Sequence, residues 1–175
     1  MKYTLLISLL FTTFMAFSQS KLNVFDVARS GTVAEAKILL KKNRNAFNTS
    51  NKEGYAPLTL ACYRGNTEVA KIILKNKCNV NANSSMGTPL MAAVVKGNTE
   101  IVKLLIDNKA DVNLPDANGT TPLIYGTMFK NLEIVKLLLN ANANTEFKDK
   151  NGKTALDFAI QADDDMIIQA LKSNK

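Results

Sequence analysis

The sequence predicts an all-α solenoid of about five helix-turn-helix units with short hairpin loops, preceded by a signal peptide. The main observation is a leucine that follows proline or alanine and returns after steps of 32, 33 and 33 residues. A fixed period of this length indicates a stacked array of small structural units. Inside each unit the apolar residues follow helical spacing, which predicts helices rather than strands. The repeated starts are Pro57-Leu58, Pro89-Leu90, Pro122-Leu123 and Ala155-Leu156.

The first residues have the pattern of a secretory signal. Met1-Lys2 gives a positive start, and an uncharged run then extends from Leu5 to Phe17. Small residues stand at Ala16 and Ser18, the positions around the end of this run that a signal peptidase reads. As a helix this run is roughly 20 Å long, shorter than the ~30 Å core of a bilayer. We therefore expect cleavage near Ser18, with an uncleaved anchor as the alternative.

The period divides the chain into a signal peptide and five units. The first and last units are degenerate, as the ends of a stacked array are expected to be, because each has only one neighbour. The predicted boundaries are 1–18 for the signal peptide, 22–50 for the N-terminal capping unit, 51–83, 84–115 and 116–148 for the internal units, and 149–173 for the C-terminal capping unit.

One internal unit explains how each pair of helices is built. Thr88-Pro89 is a helix start, because threonine accepts backbone hydrogen bonds and proline has no amide hydrogen to leave unpaired. Gly97-Asn98 ends this helix, and Glu100 places a negative charge at the start of the next. The apolar face of the second helix is formed by Ile101, Leu104 and Leu105.

Several motifs agree at this one period. They are the Gly-x-Thr-Pro-Leu start at 119–123, the Gly-Asn-Thr-Glu-Ile-Val-Lys-Leu-Leu middle at 97–105 and the Ala-Asp-Val-Asn end at 110–113. Together they resemble the ankyrin repeat, over about residues 22–173. The chain differs from that family after each second helix, where glycine is replaced by Lys77, Lys109 and Asn142. We expect these residues to adopt positive φ at a cost in stability.

The basic residues predict a solvated surface and no nucleic-acid site. The formal net charge of +7 is only a moderate excess for this length. A single-strand nucleic-acid site needs basic residues interleaved with aromatic ones in a groove, and this pattern is absent. Attraction of this basic chain to an acidic surface remains an alternative. Four lysines recur opposite the apolar face of successive second helices, where they form an outer stripe: Lys37, Lys71, Lys103 and Lys136.

The two cysteines are expected to remain free thiols in the core. An oxidising compartment favours a disulfide between Cys62 and Cys78. In the repeat, however, Cys62 stands near the end of a first helix and Cys78 follows a second helix. These places should be more than one helical turn apart, beyond the ~7 Å Cα separation that a disulfide allows.

Catalytic and metal-binding chemistry has little support. The chain contains no histidine, which removes the common nucleophile-base pairs and the usual zinc ligands. The acids are scattered over helix starts and turns, so no carboxylate pair is expected in one cleft. Asp163-Asp164-Asp165 is a possible calcium site, but capping of the following helix is the simpler interpretation. We therefore predict no enzyme activity and no cofactor.

The resemblance implies that partners dock on a concave side formed by the hairpin tips and the exposed face of each first helix. Two large apolar residues on that side, Met128 and Phe129, either contact a partner or fold onto the neighbouring repeat. The positions carried over from the family are Lys52, Glu53, Tyr55, Tyr63, Arg64, Val95, Lys96, Asn118, Thr120, Met128, Phe129, Lys150, Lys153 and Gln161.

The resulting hypothesis is a periplasmic or secreted monomer that binds a protein partner without catalysis. Its sharper form is an inhibitor or immunity-type partner of a secreted protein, and its rival is an envelope adapter that supports an oxidative-stress or transport complex. Both rest on fold-level analogy. No stable membrane insertion is expected after signal cleavage.

Overall fold

The computed structural model describes residues 22–84 and 87–173. The predicted signal peptide and residues Ser85 and Met86 of one hairpin lie outside them. The described residues form ten α-helices and no β-strand, which confirms the all-α prediction. In chain order the helices are α1 (Val24–Ser30), α2 (Val33–Lys42), α3 (Pro57–Arg64), α4 (Thr67–Lys75), α5 (Pro89–Val95), α6 (Thr99–Asp107), α7 (Pro122–Met128), α8 (Leu132–Asn140), α9 (Ala155–Gln161) and α10 (Asp165–Lys172).

The helices pair in chain order into five units that stack side by side. The first helices α1, α3, α5, α7 and α9 form one row, and the second helices form another. Neighbours in the first row pack more extensively than neighbours in the second row. Small buried residues permit this close approach on the first helices: Ala28, Ala61, Ala93, Gly126 and Ala159.

The predicted helix starts are confirmed at single-residue level. The Thr88 hydroxyl oxygen accepts a hydrogen bond from the backbone N–H of Met91, and Thr121 does the same with Ile124. In the acidic run, the Asp164 carboxylate accepts from the backbone N–H of Ile167 at 3.1 Å and caps α10. The capping interpretation of this run is therefore confirmed.

Asparagine side chains join consecutive units on both sides of the array. Asn66 accepts from the backbone of its own helix α4 and donates through Nδ2 to the Gly31 carbonyl of the previous unit, at 2.9 Å. At the opposite loops, Asn113 Oδ1 accepts from the Asn144 N–H of the next unit at 2.8 Å, and Asn81 Oδ1 accepts from the Asp111 N–H at 2.9 Å. Each of these bonds pairs a backbone group of one unit with an asparagine side chain of its neighbour.

The outer lysine stripe is partly engaged in ion pairs between units. Lys71 Nζ lies 3.1 Å from Glu100 of the next unit, and Lys103 Nζ lies 3.4 Å from Glu133. Because these groups remain largely accessible to water, each pair contributes little stability. The lysines of the stripe are accessible to solvent as predicted, and these two also pair with a glutamate of the next unit.

Positive φ angles occur at the three positions where this chain replaces the family's glycine, as predicted. Lys77 has φ 56°, Lys109 has φ 67° and Asn142 has φ 63°, each just after a second helix. Two further residues, Lys130 and Asp163, have φ 53° between the helices of their units. They stand where Gly65 and Gly97 stand in earlier units, and the strain is larger at the three lysines than at Asn142 and Asp163, because Asn and Asp tolerate left-handed backbone better.

Helix α7 contains a glycine where other first helices carry alanine. A methyl group built on Gly126 would lie 3.4 Å from Val135, 3.5 Å from Ile134 and 3.7 Å from Leu138, which is close to ordinary contact distance. We expect Gly126→Ala to raise the free energy of unfolding by about 1 kcal/mol, because alanine favours the helix. Urea unfolding followed by circular dichroism measures it. The matched reverse change, Ala93→Gly, should lower stability by a similar amount, and a destabilising Gly126→Ala would contradict the packing.

Candidate interaction surface

Three of the hairpins that border the first helices are each shaped by one acidic or amide side chain. In the fourth unit, Asp116 Oδ1 accepts from the backbone N–H groups of Asn118 and Thr120, at 2.8 and 2.9 Å. Asn51 makes the same bonds in the second unit and Asp149 in the fifth. These bonds give the three hairpins the same turn. We call the hairpins that border the first helices fingers.

The hairpin of the third unit is shorter than the others. It closes between Ser84 and Gly87, through hydrogen bonds of 3.2 and 2.9 Å in the two directions. The other hairpins close across one more residue, as from Asp116 to Thr120. The shorter hairpin accounts for the first repeat step, which is 32 residues where the next two are 33.

We call the exposed and half-buried residues of the fingers and first helices the first-helix face. Most residues predicted for partner binding lie on it and are accessible, including Tyr63 and Arg64 at the end of α3 and Gln161 at the end of α9. Thr120 is the exception: it is buried at the base of its finger, so its side chain does not present itself for binding. The remaining accessible positions are Lys52, Glu53, Tyr55, Val95, Lys96, Asn118, Met128, Phe129, Lys150 and Lys153.

Two large apolar residues at the end of α7 are exposed on this face. Met128 is 48% exposed and Phe129 is 53% exposed, so neither folds fully onto the next unit. The Phe129 ring stacks on Tyr125, with 6.5 Å between the centroids. Sequence reasoning missed Tyr125, although its spacing of four residues from Phe129 on one helix was a usable signal.

Tyr125 is held in place by the finger of its own unit. Its hydroxyl donates to Asp116 Oδ2 at 2.7 Å. Burial, together with this carboxylate, raises the pKa of the tyrosine hydroxyl to about 12, so it stays protonated at physiological pH. The bond locks the ring that supports Phe129, which gives the apolar patch a rigid base.

Basic side chains lie against aromatic rings elsewhere on the face. Lys96 Nζ is 5.0 Å from the centre of the Tyr63 ring, and Lys153 Nζ is 5.5 Å from that of Phe158. Lys153 Nζ also donates to Gln161 Oε1 at 2.7 Å. The Lys96–Tyr63 contact joins the third and second units, whereas the Lys153–Phe158 contact lies within the fifth unit, and both restrict the side chains involved.

Two further observations concern the part of the chain that the structure describes. It has no cluster of three or more His, Cys, Asp or Glu residues that could hold a metal ion. None of its helices combines the length and apolar character that crossing a membrane requires.

The chain belongs to the ankyrin-repeat family. A family model described as ankyrin repeats in three copies matches residues 24–116 and 90–175. Ankyrin repeats are protein-protein interaction modules and are typically not enzymes. A search of curated proteins finds no match.

Both cysteines are free thiols, but they differ in burial. Cys62 is fully buried on α3, whereas Cys78 is only half-buried and lines an open cavity beside Phe47. The expectation that both thiols would be buried is wrong for Cys78, because it follows a second helix at the edge of the stack. Burial raises the pKa of both thiols, that of Cys78 to about 11.

We expect the two thiols to react in a fixed order. At pH 7.5 iodoacetamide should modify Cys78 slowly, because little thiolate is present, and should modify Cys62 only after urea unfolds the array. Mass spectrometry of timed samples measures the order, with Cys78→Ser as the control that removes the slow native reaction. Modification of Cys62 first in the folded protein would contradict its burial.

Proposed function

We propose that this chain is an exported protein that binds a folded protein or a peptide segment through its first-helix face. The observation that carries the proposal is the exposure of Met128 and Phe129 together at the end of α7. Large apolar side chains grouped at a surface are typical of interaction sites, and aromatic residues supply much of the binding free energy. The locked Tyr125 ring beneath them supports a preformed contact.

The packing of the array favours a concave binding surface. Because the first helices approach each other more closely than the second helices do, the stack is expected to curve toward the first-helix row. A curved row brings side chains from several units toward one partner, which is how repeat arrays gain contact area.

The exposed charges on this face favour an acidic partner. Four exposed cations lie along it, against three exposed acids, Asp26, Glu53 and Asp157. Complementary charge steers association and disfavours partners of like charge. The cations are Lys52, Arg64, Lys96 and Lys150.

The start of the sequence supports a place outside the cytoplasm. The positive Met1-Lys2, the apolar run from Leu5 to Phe17 and the small residues around Ser18 have the order of a secretory signal. A small exported binding module without a catalytic set is suited to act as an inhibitor or immunity-type partner that covers a secreted enzyme or toxin. This role is argued by analogy with what such a scaffold can do.

Substitution of the face tests the binding proposal. We expect the triple variant Tyr63→Ala, Arg64→Ala and Phe129→Ala to lose capture of its partner from periplasmic extract, with affinity reduced about 100-fold or more. Partners are identified by mass spectrometry, and circular dichroism checks that the array is folded.

The second-helix row supplies the matched control. Ile38, Lys103 and Lys136 are exposed there, and their replacement by alanine should leave capture unchanged. Retention of every partner by the folded triple variant, or equal loss in the control, would overturn the assignment of the first-helix face. Export is tested separately: residues 1–18 fused to a reporter that is active only outside the cytoplasm should give activity, and their deletion should retain the array inside the cell.

A further inference from the structure

A cavity opens on the first-helix face where the first three units meet. It has a volume of about 330 Å³, near the lower end for ligand pockets in proteins. The finger of the second unit contributes Tyr55, and the first helix of that unit contributes Leu60 and Tyr63. All three of these side chains are half-buried, so they form walls rather than free surface.

The walls of the cavity are held in position before any ligand arrives. The backbone N–H of Tyr55 donates to Asn51 Oδ1 at 2.8 Å, which fixes the base of the finger. Tyr63 lies under the Lys96 ammonium group at 5.0 Å. Positioned aromatic walls favour insertion of a flat aromatic side chain, because little ordering is required on binding.

An unusual polar group lines the same cavity. The Thr59 side chain is 2% exposed, and its hydroxyl oxygen has no hydrogen-bond partner in the structure. Buried hydroxyl groups normally have a partner, so an unpaired one beside a cavity indicates where the polar end of a ligand is needed. A purely apolar ligand would leave this hydroxyl unpaired.

The rim of the cavity carries two arginines and one acid. Arg29 is held by Asp26, with 3.1 Å between nitrogen and oxygen, whereas Arg64 is exposed and has no ion pair within the described ranges 22–84 and 87–173. Glu53 is the acid among the lining residues. A free guanidinium at the mouth favours carboxylates on the chain that enters.

We propose that this cavity receives one tyrosine side chain from an acidic segment of the protein partner, with its hydroxyl directed to Thr59 and neighbouring carboxylates at Arg64. This inference rests on the proposed function and specifies the chemistry of the partner. The tyrosine ring fills the space between the aromatic walls. Its hydroxyl forms the hydrogen bond that Thr59 lacks. The carboxylates on either side of the tyrosine lie at the Arg64 guanidinium.

A set of peptides tests this assignment on the folded array. The probe is a pentapeptide with a central tyrosine between pairs of glutamates, titrated into isotope-labelled protein and followed by NMR. We expect amide shifts at the cavity residues. Replacing the tyrosine of the peptide by phenylalanine should weaken binding about tenfold, the value of one hydrogen bond. Replacing the glutamates by lysines should abolish the shifts.

Two threonine variants separate the hydroxyl from general packing. Thr59→Val should weaken the tyrosine peptide about tenfold and leave the phenylalanine peptide unchanged. Thr127 is the matched control, because its buried hydroxyl also lacks a partner but it lies outside this cavity. Thr127→Val should leave both peptides unchanged, and unfolding curves should show both variants at least as stable as the parent.

The outcomes distinguish this inference from the proposed function. Equal affinity for tyrosine and phenylalanine peptides, shifts outside the cavity, or no shifts at all would overturn the tyrosine assignment. Equal binding of the lysine-flanked peptide would overturn the acidic segment. If the triple alanine variant of the first-helix face loses the natural partner but none of the peptides binds the parent protein, the proposed function stands and this inference is wrong.

Discussion

Leu105→Ala is expected to lower the free energy of unfolding by about 3 kcal/mol and to weaken the cooperativity of the whole array. Leu105 lies on α6 in the middle unit and is fully buried, so its truncation removes apolar contact and leaves a cavity. Because each unit is stabilised mainly by its neighbours, a weak middle unit uncouples the units on both sides. Urea unfolding should show a lower midpoint and a reduced slope.

Leu171→Ala is the matched control for this effect. Leu171 occupies the corresponding position on α10 and is equally buried, so the local loss of contact is comparable. As a terminal unit it has one neighbour, and we expect hydrogen exchange to increase in α9 and α10 while the other units keep their protection. Equal changes in the main transition for both variants would contradict the model of stability by neighbour contacts.

The second large effect is a gain in stability from three glycines. Lys77, Lys109 and Lys130 have left-handed backbone angles that glycine adopts without strain. Each Lys→Gly change should raise the free energy of unfolding by about 1 kcal/mol, and the triple variant by about 3 kcal/mol, because the sites are in separate units. Urea or thermal unfolding measures the gain.

Alanine at the same three positions is the control, because it removes the lysine side chains and keeps the strained backbone. We expect the alanine variant to have nearly the parent stability. Lys130 also donates from Nζ to the Ala162 carbonyl at 3.2 Å, an exposed bond whose loss costs little. A triple glycine variant no more stable than the alanine variant would contradict the assignment of strain to these angles.

The helices could be predicted from the sequence because their ends depend on neighbouring residues. Thr88 and Thr121 cap the helices that begin at the next residue, and this chemistry is local. The positive φ of Lys77 followed in the same way from its place after a helix. The corresponding angle at Lys130 was also readable from the repeat, since it stands where Gly97 stands one unit earlier.

The details of the candidate site depended on contacts between segments. Tyr125 is fixed by a bond to Asp116, and that bond exists only because the finger folds back on its helix. Thr120 is buried for the same reason. The unpaired hydroxyl of Thr59 and the cavity beside it arise where three units meet, so no pattern within one unit could predict them.

The asparagine joints between units carry a consequence for how such a chain can grow. Because Asn66 binds both its own helix and the preceding loop, the second unit carries the side chain that joins it to the first. Duplication of an internal segment would therefore copy the connector together with the module. Lengthening this protein by a further module would need no new kind of contact between modules, and each addition extends the row of side chains within reach of a larger target.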